Sequence, residues 1–173
     1  MSVSVSRIHA FAALLALVVA FGLAFGNATN SMAATTKQNG MTLTVKPSKN
    51  LSADGQTVTI MGKGFDPRVG IYVALCQTPP KNSKIAPGPC GGGINMSGAN
   101  PASAWISSNP PSYGKKLATP FKKNGAFKVV LTISPLIGAL DCRTSSCSIV
   151  TRADHTRPNV RSADMAVPVT FTK

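Results

Sequence analysis

Glutamate is absent from this chain, and acidic residues of any kind are scarce: all five are aspartates. Beyond the first 34 residues a single histidine, His155, remains. Enzymes need positioned acids, bases or nucleophiles, and this stock is thin. His155 directly follows Asp154, and neighbours on a strand or turn point apart, so the dipeptide is not a catalytic dyad. His155 is read instead as a solvated turn residue. No glycine-rich loop opens a helix, since Gly91–Gly93 has neither the spacing nor the context of a phosphate cradle. No amphipathic helical period recurs either, which argues against helical bundles and α/β folds. The reading is a non-enzyme without cofactor or metal. Aromatics are also few, with one Trp, two Tyr and seven Phe. No strand face carries stacking rings, so nucleic acid could be met only through nonspecific phosphate contact.

The chain does carry positive charge, with 18 Lys+Arg against 5 Asp. Arg7 followed by the apolar run Ile8–Phe25 and the small residues Ala28, Ala33 and Ala34 has the order of a secretory signal. Cleavage is expected near Ala34 or Ala28, with an uncleaved membrane anchor as the alternative. Residues 35–173 then form one domain, exported or held at the cell surface, with a net charge of +12. Such a surface attracts anionic polymer, whether polysaccharide, lipid headgroups or DNA. The candidate anion-binding residues are Lys115, Lys116, Lys122, Lys123, Arg152, Arg157 and Arg161.

Four cysteines, Cys76, Cys90, Cys142 and Cys147, all lie in the exported part. An even count outside the cytoplasm argues for disulfides. Three pairings are open, of which nearest neighbours, Cys76–Cys90 with Cys142–Cys147, is the simplest. A zinc site would need tighter spacing than Cys76 and Cys90 offer.

Apolar residues alternate with polar ones in several short runs. Met41, Leu43 and Val45 mark one strand. Thr57–Met61 and Gly70–Cys76 are read as a hairpin joined by a Gly/Asp/Pro turn. Phe127, Val129, Leu131 and Ile133 mark a further strand, SIVT after Cys147 another, and Val167, Val169 and Phe171 the last. Pro168 cannot donate to a ladder, so that strand is expected either at an edge or with this position facing out. Thr35–Gly40 reads as a frayed terminus. The long stretch 77–120 shows no lasting period and is expected to be loop. Trp105 within it has two readings, a ligand-binding ring or a plug holding the loop down. The pattern is that of an all-β Greek-key sandwich of about seven strands.

The segments LTVKPSKNLSADGQTVTIMGKGFDP, IYVALC with a second cysteine after it, DCRTSSCSIV and VPVTF, in this order, resemble the neocarzinostatin family of secreted enediyne-chromophore apoproteins. The resemblance implies a seven-stranded Ig-like Greek-key β-sandwich with two short-range disulfides, Cys76–Cys90 and Cys142–Cys147. It also implies an apolar cleft floored by the first disulfide, at positions Ala74, Cys76, Thr78, Cys90, Ser148, Val150 and Arg152. Thr78 stands where a cleft aromatic is found in the family. The family's Phe-rich ribbon is replaced by SPLIGAL, leaving Leu136, Ile137 and Leu140, with Trp105 as a substitute wall. Family apoproteins are typically acidic, whereas this chain is basic. Two functions are therefore expected to compete: a monomeric carrier of an apolar or aromatic small molecule, and an envelope module docking on anionic polymer.

Overall fold

The computed structural model describes residues 32–92 and 102–173. The leader run Ile8–Phe25 and the possible cleavage position Ala28 lie outside these. The described residues form ten strands: β1 (Ala34–Gln38), β2 (Met41–Lys46), β3 (Gln56–Lys63), β4 (Ile71–Gln77), β5 (Ser103–Ile106), β6 (Phe127–Ile133), β7 (Leu136–Ile137), β8 (Leu140–Asp141), β9 (Cys147–Ala153) and β10 (Met165–Val169). Two four-stranded antiparallel sheets, ordered β1-β2-β3-β6 and β10-β9-β4-β5, face each other, and β7-β8 form a separate ribbon. The connectivity is Greek-key, because β6 returns to pair with β3 after β4 and β5 have been laid into the opposite sheet.

The core forms where the period-two residues of both sheets meet. Leu43, Val45, Val58, Ile60, Leu131 and Ile133 from the first sheet pack against Ile71, Val73, Leu75, Ile149 and Val167 from the second. Phe65, Phe121 and Phe127 close one end, with the Phe65 and Phe127 rings edge-to-face at 5.3 Å.

The described residues differ from the sequence expectation in three places. The hairpin expected between Thr57–Met61 and Gly70–Cys76 is not one, because its strands belong to opposite sheets. β3 is paired on both sides, by β2 and β6, so no ladder is left for β4. Residues 64–70 instead carry the chain over the end of the sandwich. The supposedly frayed Thr35–Gly40 supplies β1, which pairs with β2 from Ala34↔Val45 to Gln38↔Met41. Its side chains are mostly exposed, so it has no apolar alternation to read. It is fixed by the Thr36 hydroxyl, which donates to the Ala166 carbonyl of β10 at 2.8 Å. Just before it, the Met32 carbonyl accepts both the backbone N–H and the hydroxyl of Ser48 at 3.0 Å.

The third difference is within 77–120, which contains β5. That strand pairs with β4 from Ile71↔Ile106 to Ala74↔Ser103. It is covered on both faces, so Ser103, Trp105 and Ile106 are all buried and alternation is lost. With β1 and β5 added, the sandwich holds eight strands besides the ribbon. β10 is an edge strand with Pro168 exposed, as its proline requires.

Candidate functional site

Both disulfides join nearest neighbours, Cys76–Cys90 and Cys142–Cys147. The first lies at the end of β4, where Gly91 N–H donates to the Leu75 carbonyl at 2.8 Å and Gln77 N–H to the Pro89 carbonyl at 3.0 Å. The loop 77–90 is thereby folded back along the outer face of the second sheet. The second disulfide ties the β7-β8 ribbon to the start of β9.

Alternation along β4 and β9 decides what that outer face presents. Ile71, Val73 and Leu75 point into the core, so Tyr72, Ala74 and Cys76 point outward. Ser148, Val150 and Arg152 do the same on β9. A cavity of about 300 Å³ lies on this face, lined by Tyr72, Ala74, Cys76, Cys90, Gly91, Ser103, Val150 and Arg152. Its floor is the disulfide with Ala74 and Val150, which form a small apolar cluster apart from the main core. Arg152 Nη1 donates to the Pro87 carbonyl at 3.0 Å, pinning the disulfide loop beside the cavity.

A second hollow, of about 440 Å³, is lined by Thr36, Thr78, Pro79, Pro87, Ser148, Arg161 and Asp164 among others. Thr78 and Ser148 hydroxyls hydrogen-bond to each other at 2.8 Å there. Asp164 accepts from Arg161 at 2.8 Å. Its carboxyl is nevertheless pushed up to about 6, because desolvation outweighs the attraction of Arg161 and Arg152. Its Oδ1 is buried without a hydrogen-bond partner.

Next to the first cavity stands a group of rings. Trp105, opposite Tyr72 in the ladder, is only 7% exposed and donates from Nε1 to buried Asp154 at 2.8 Å. Two glycines make this possible by close approach. A Cβ on Gly70 would lie 2.0 Å from the Asp154 carboxylate, and one on Gly114 would lie 2.4 Å from the Trp105 ring. The His155 ring is hydrogen-bonded on one nitrogen by the Tyr72 hydroxyl and on the other by that of Tyr113. Burial, reinforced by the charge of Asp154, raises the Tyr72 phenol above its ordinary range. Asp154 and His155 thus point to different partners, one inward and one outward.

Of the residues expected to bind a ligand, Ala74, Val150 and Arg152 come together in the first cavity, while Thr78 and Ser148 line the second. Trp105 lines neither and packs as a plug against Gly114. The ribbon residues Leu136, Ile137 and Leu140 line neither cavity. Ile137 is turned into the main core, Leu140 packs against that core, and Leu136 is 56% exposed. Tyr72, Gly91 and Ser103 were missed. Tyr72 shares the period-two face of Ala74 and Cys76, and that signal could have found it. Ser103 lies on a strand with no alternation to show.

The expected anion-binding residues are not all alike. Lys115, Lys116, Lys122, Lys123 and Arg157 are exposed. Arg161 is engaged by Asp164 and by the Pro158 carbonyl. Among the described residues no group of three or more His, Cys, Asp or Glu side chains could hold a metal, and no helix is long and apolar enough to cross a membrane.

An Ig-like sandwich of this topology, with a disulfide-floored hollow on the outer face of one sheet, defines the class. The chain belongs to the neocarzinostatin family, whose family model matches residues 43–171. It is 30% identical over 118 residues to a Corynebacterium glutamicum protein described as thiamine biosynthesis protein X. That match takes in 68% of this chain and 57% of the relative's length. It is also similar to the solved structure of macromomycin, at 19% identity and a TM-score of 0.47, over 82% of this chain and all of that one.

Proposed function

We propose that this chain is an exported carrier protein that holds an apolar or aromatic small molecule in the cavity over the Cys76–Cys90 disulfide. Carrier character is that of the family, whose members carry small-molecule chromophores. Export is supported by the two disulfides, which persist in oxidising compartments, and by the leader-like run Ile8–Phe25. No reaction is proposed. Asp154 and His155 are each taken up by structural hydrogen bonds.

The observation that carries the reading is the cavity itself: about 300 Å³, with an apolar floor and one cation at its wall. That volume suits a small fused-ring molecule. Burying on the order of 200 Å² of apolar ligand surface would contribute about 5 kcal/mol before the costs of association. Titration with the neutral dye N-phenylnaphthylamine tests it. A fluorescence increase saturating at one dye per chain is expected, and Val150→Trp, which fills the floor, should abolish it. Absence of saturation up to high micromolar dye would overturn the reading.

A further inference from the structure

Among the described residues, Arg152 is the one charged side chain lining the cavity over the disulfide. Its guanidinium is held in place by the bond from Nη1 to the Pro87 carbonyl, while its Nε is buried with no hydrogen-bond partner. The ion pairs among the described residues engage Arg68, Arg143 and Arg161; none engages Arg152.

Among the described residues no carboxylate forms an ion pair with Arg152. Of the chain's five aspartates, Asp66, Asp141 and Asp164 are in those three pairs. Asp154 accepts from Trp105 and Thr156, and Asp54 sits in the turn before β3. Residues 93–101, between the disulfide loop and β5, contain neither Asp nor Glu. Asp164 is close enough for its charge and that of Arg152 to influence each other. It nevertheless lines the other hollow, on the ion pair with Arg161.

A fixed guanidinium beside an apolar floor, with no anion of its own, is completed by a ligand that brings one. Resting on the carrier reading above, we propose that the cavity takes amphipathic acids: an apolar ring system bearing a carboxylate, sulfonate or similar oxyanion. The rings lie on Cys76–Cys90, Ala74 and Val150, and the oxyanion meets Arg152. Arginine suits this role because its planar fork matches an oxyanion through paired N–H donors. A cationic ligand of the same shape is excluded by the same charge.

Two dyes of nearly one shape separate the possibilities: anilinonaphthalene sulfonate, an anion, and neutral N-phenylnaphthylamine. The anion should bind roughly tenfold more tightly, the effect of one charged hydrogen-bonded contact. Arg152→Met should remove that preference, so that the anion and the neutral dye bind alike. Should that variant fail to fold by thermal melting, Arg152→Gln keeps a donor for Pro87 and decides the question. The double change Lys122→Gln/Lys123→Gln removes two charges outside the cavity and should leave the preference intact. Saturable neutral-dye binding without an anion preference would overturn the proposal and spare the carrier reading. So would a preference that survives loss of Arg152, or one that falls with the two lysines. If neither dye saturates, the carrier reading fails and takes this inference with it.

Discussion

The outer faces of the two sheets are built from the same kind of strand and come to opposite ends. On the first sheet, Thr57, Met61, Lys63, Lys128, Val130 and Thr132 point outward and stay exposed. On the second, the corresponding outward positions Ala74, Cys76, Ser148 and Val150 are buried. The difference lies in what covers them. A single covalent bond folds residues 77–90 over the second sheet, and β5 widens the shelf, whereas none of the described residues covers the first. A face that is covered yet still hollow can hold a guest, and a bare face cannot. On the proposed reading, holding a guest depends on the loop as much as on the sandwich.

The sharpest way to break this contrast is to cut the covering bond. Replacing Cys76 and Cys90 together by serine should cost about 3 kcal/mol in denaturant unfolding, on loop-closure entropy, and should abolish dye binding. The shorter Cys142–Cys147 link should cost about 2 kcal/mol on the same scale. Dye binding that survives loss of the first bond would separate cavity from loop. A smaller effect compares two outward-facing valines, Val150 at 1% exposure and Val130 at 48%. Val150→Ala should destabilise by about 1–2 kcal/mol. Val130→Ala should stay within about 0.5 kcal/mol. Equal losses at the two sites would mean that the faces do not differ.

The smallest effect concerns pH. The folded-state pKa of Asp164 is raised, so its favourable contribution is complete below the unfolded value and lost as pH rises through about 6. Relative to Asp164→Asn, the melting temperature of the parent should therefore fall by a few degrees between about pH 4 and 6. Partial solvation keeps the change small. The ion-paired Asp66, held down to about 2 by its hydrogen bonds with Arg68, loses its contribution as pH falls below about 5, and the comparison with Asp164→Asn, which keeps Asp66, cancels that effect.

What could be read from the sequence follows the same division. Strands with one wet face announce themselves by alternation, which is why β2, β3 and β6 are plain in the residues. β4 and β9 kept a period-two core face as well. β5 is dry on both faces and β1 mostly wet on both, so neither has a contrast to display. Pairing is a separate question from pattern: alternation located β3 and β4 correctly but could not say that they belong to different sheets. At the cavity, the family resemblance pointed to Ala74, Val150 and Arg152 and to the disulfide beneath them, and the period-two faces of β4 and β9 agree with that grouping. The ribbon residues lie away from both cavities: a short apolar run gives no direction, and Ile137 turns inward. The Tyr72–His155–Tyr113 arrangement joins residues far apart in the chain, and no local signal announces it.

The hydroxyl of Thr36 bonded to the carbonyl of Ala166 has a further consequence. It fastens the two sheets at one border, so an acceptor that an edge strand would otherwise offer to another molecule is already in use. At the opposite border of the second sheet, Thr119 closes β5 by donating to the Trp105 carbonyl and accepting from Ser107 N–H. Docking of a second copy by adding strands to this sheet is thereby discouraged at both ends. A chain sealed in this way should sediment as a single molecule even when it is crowded.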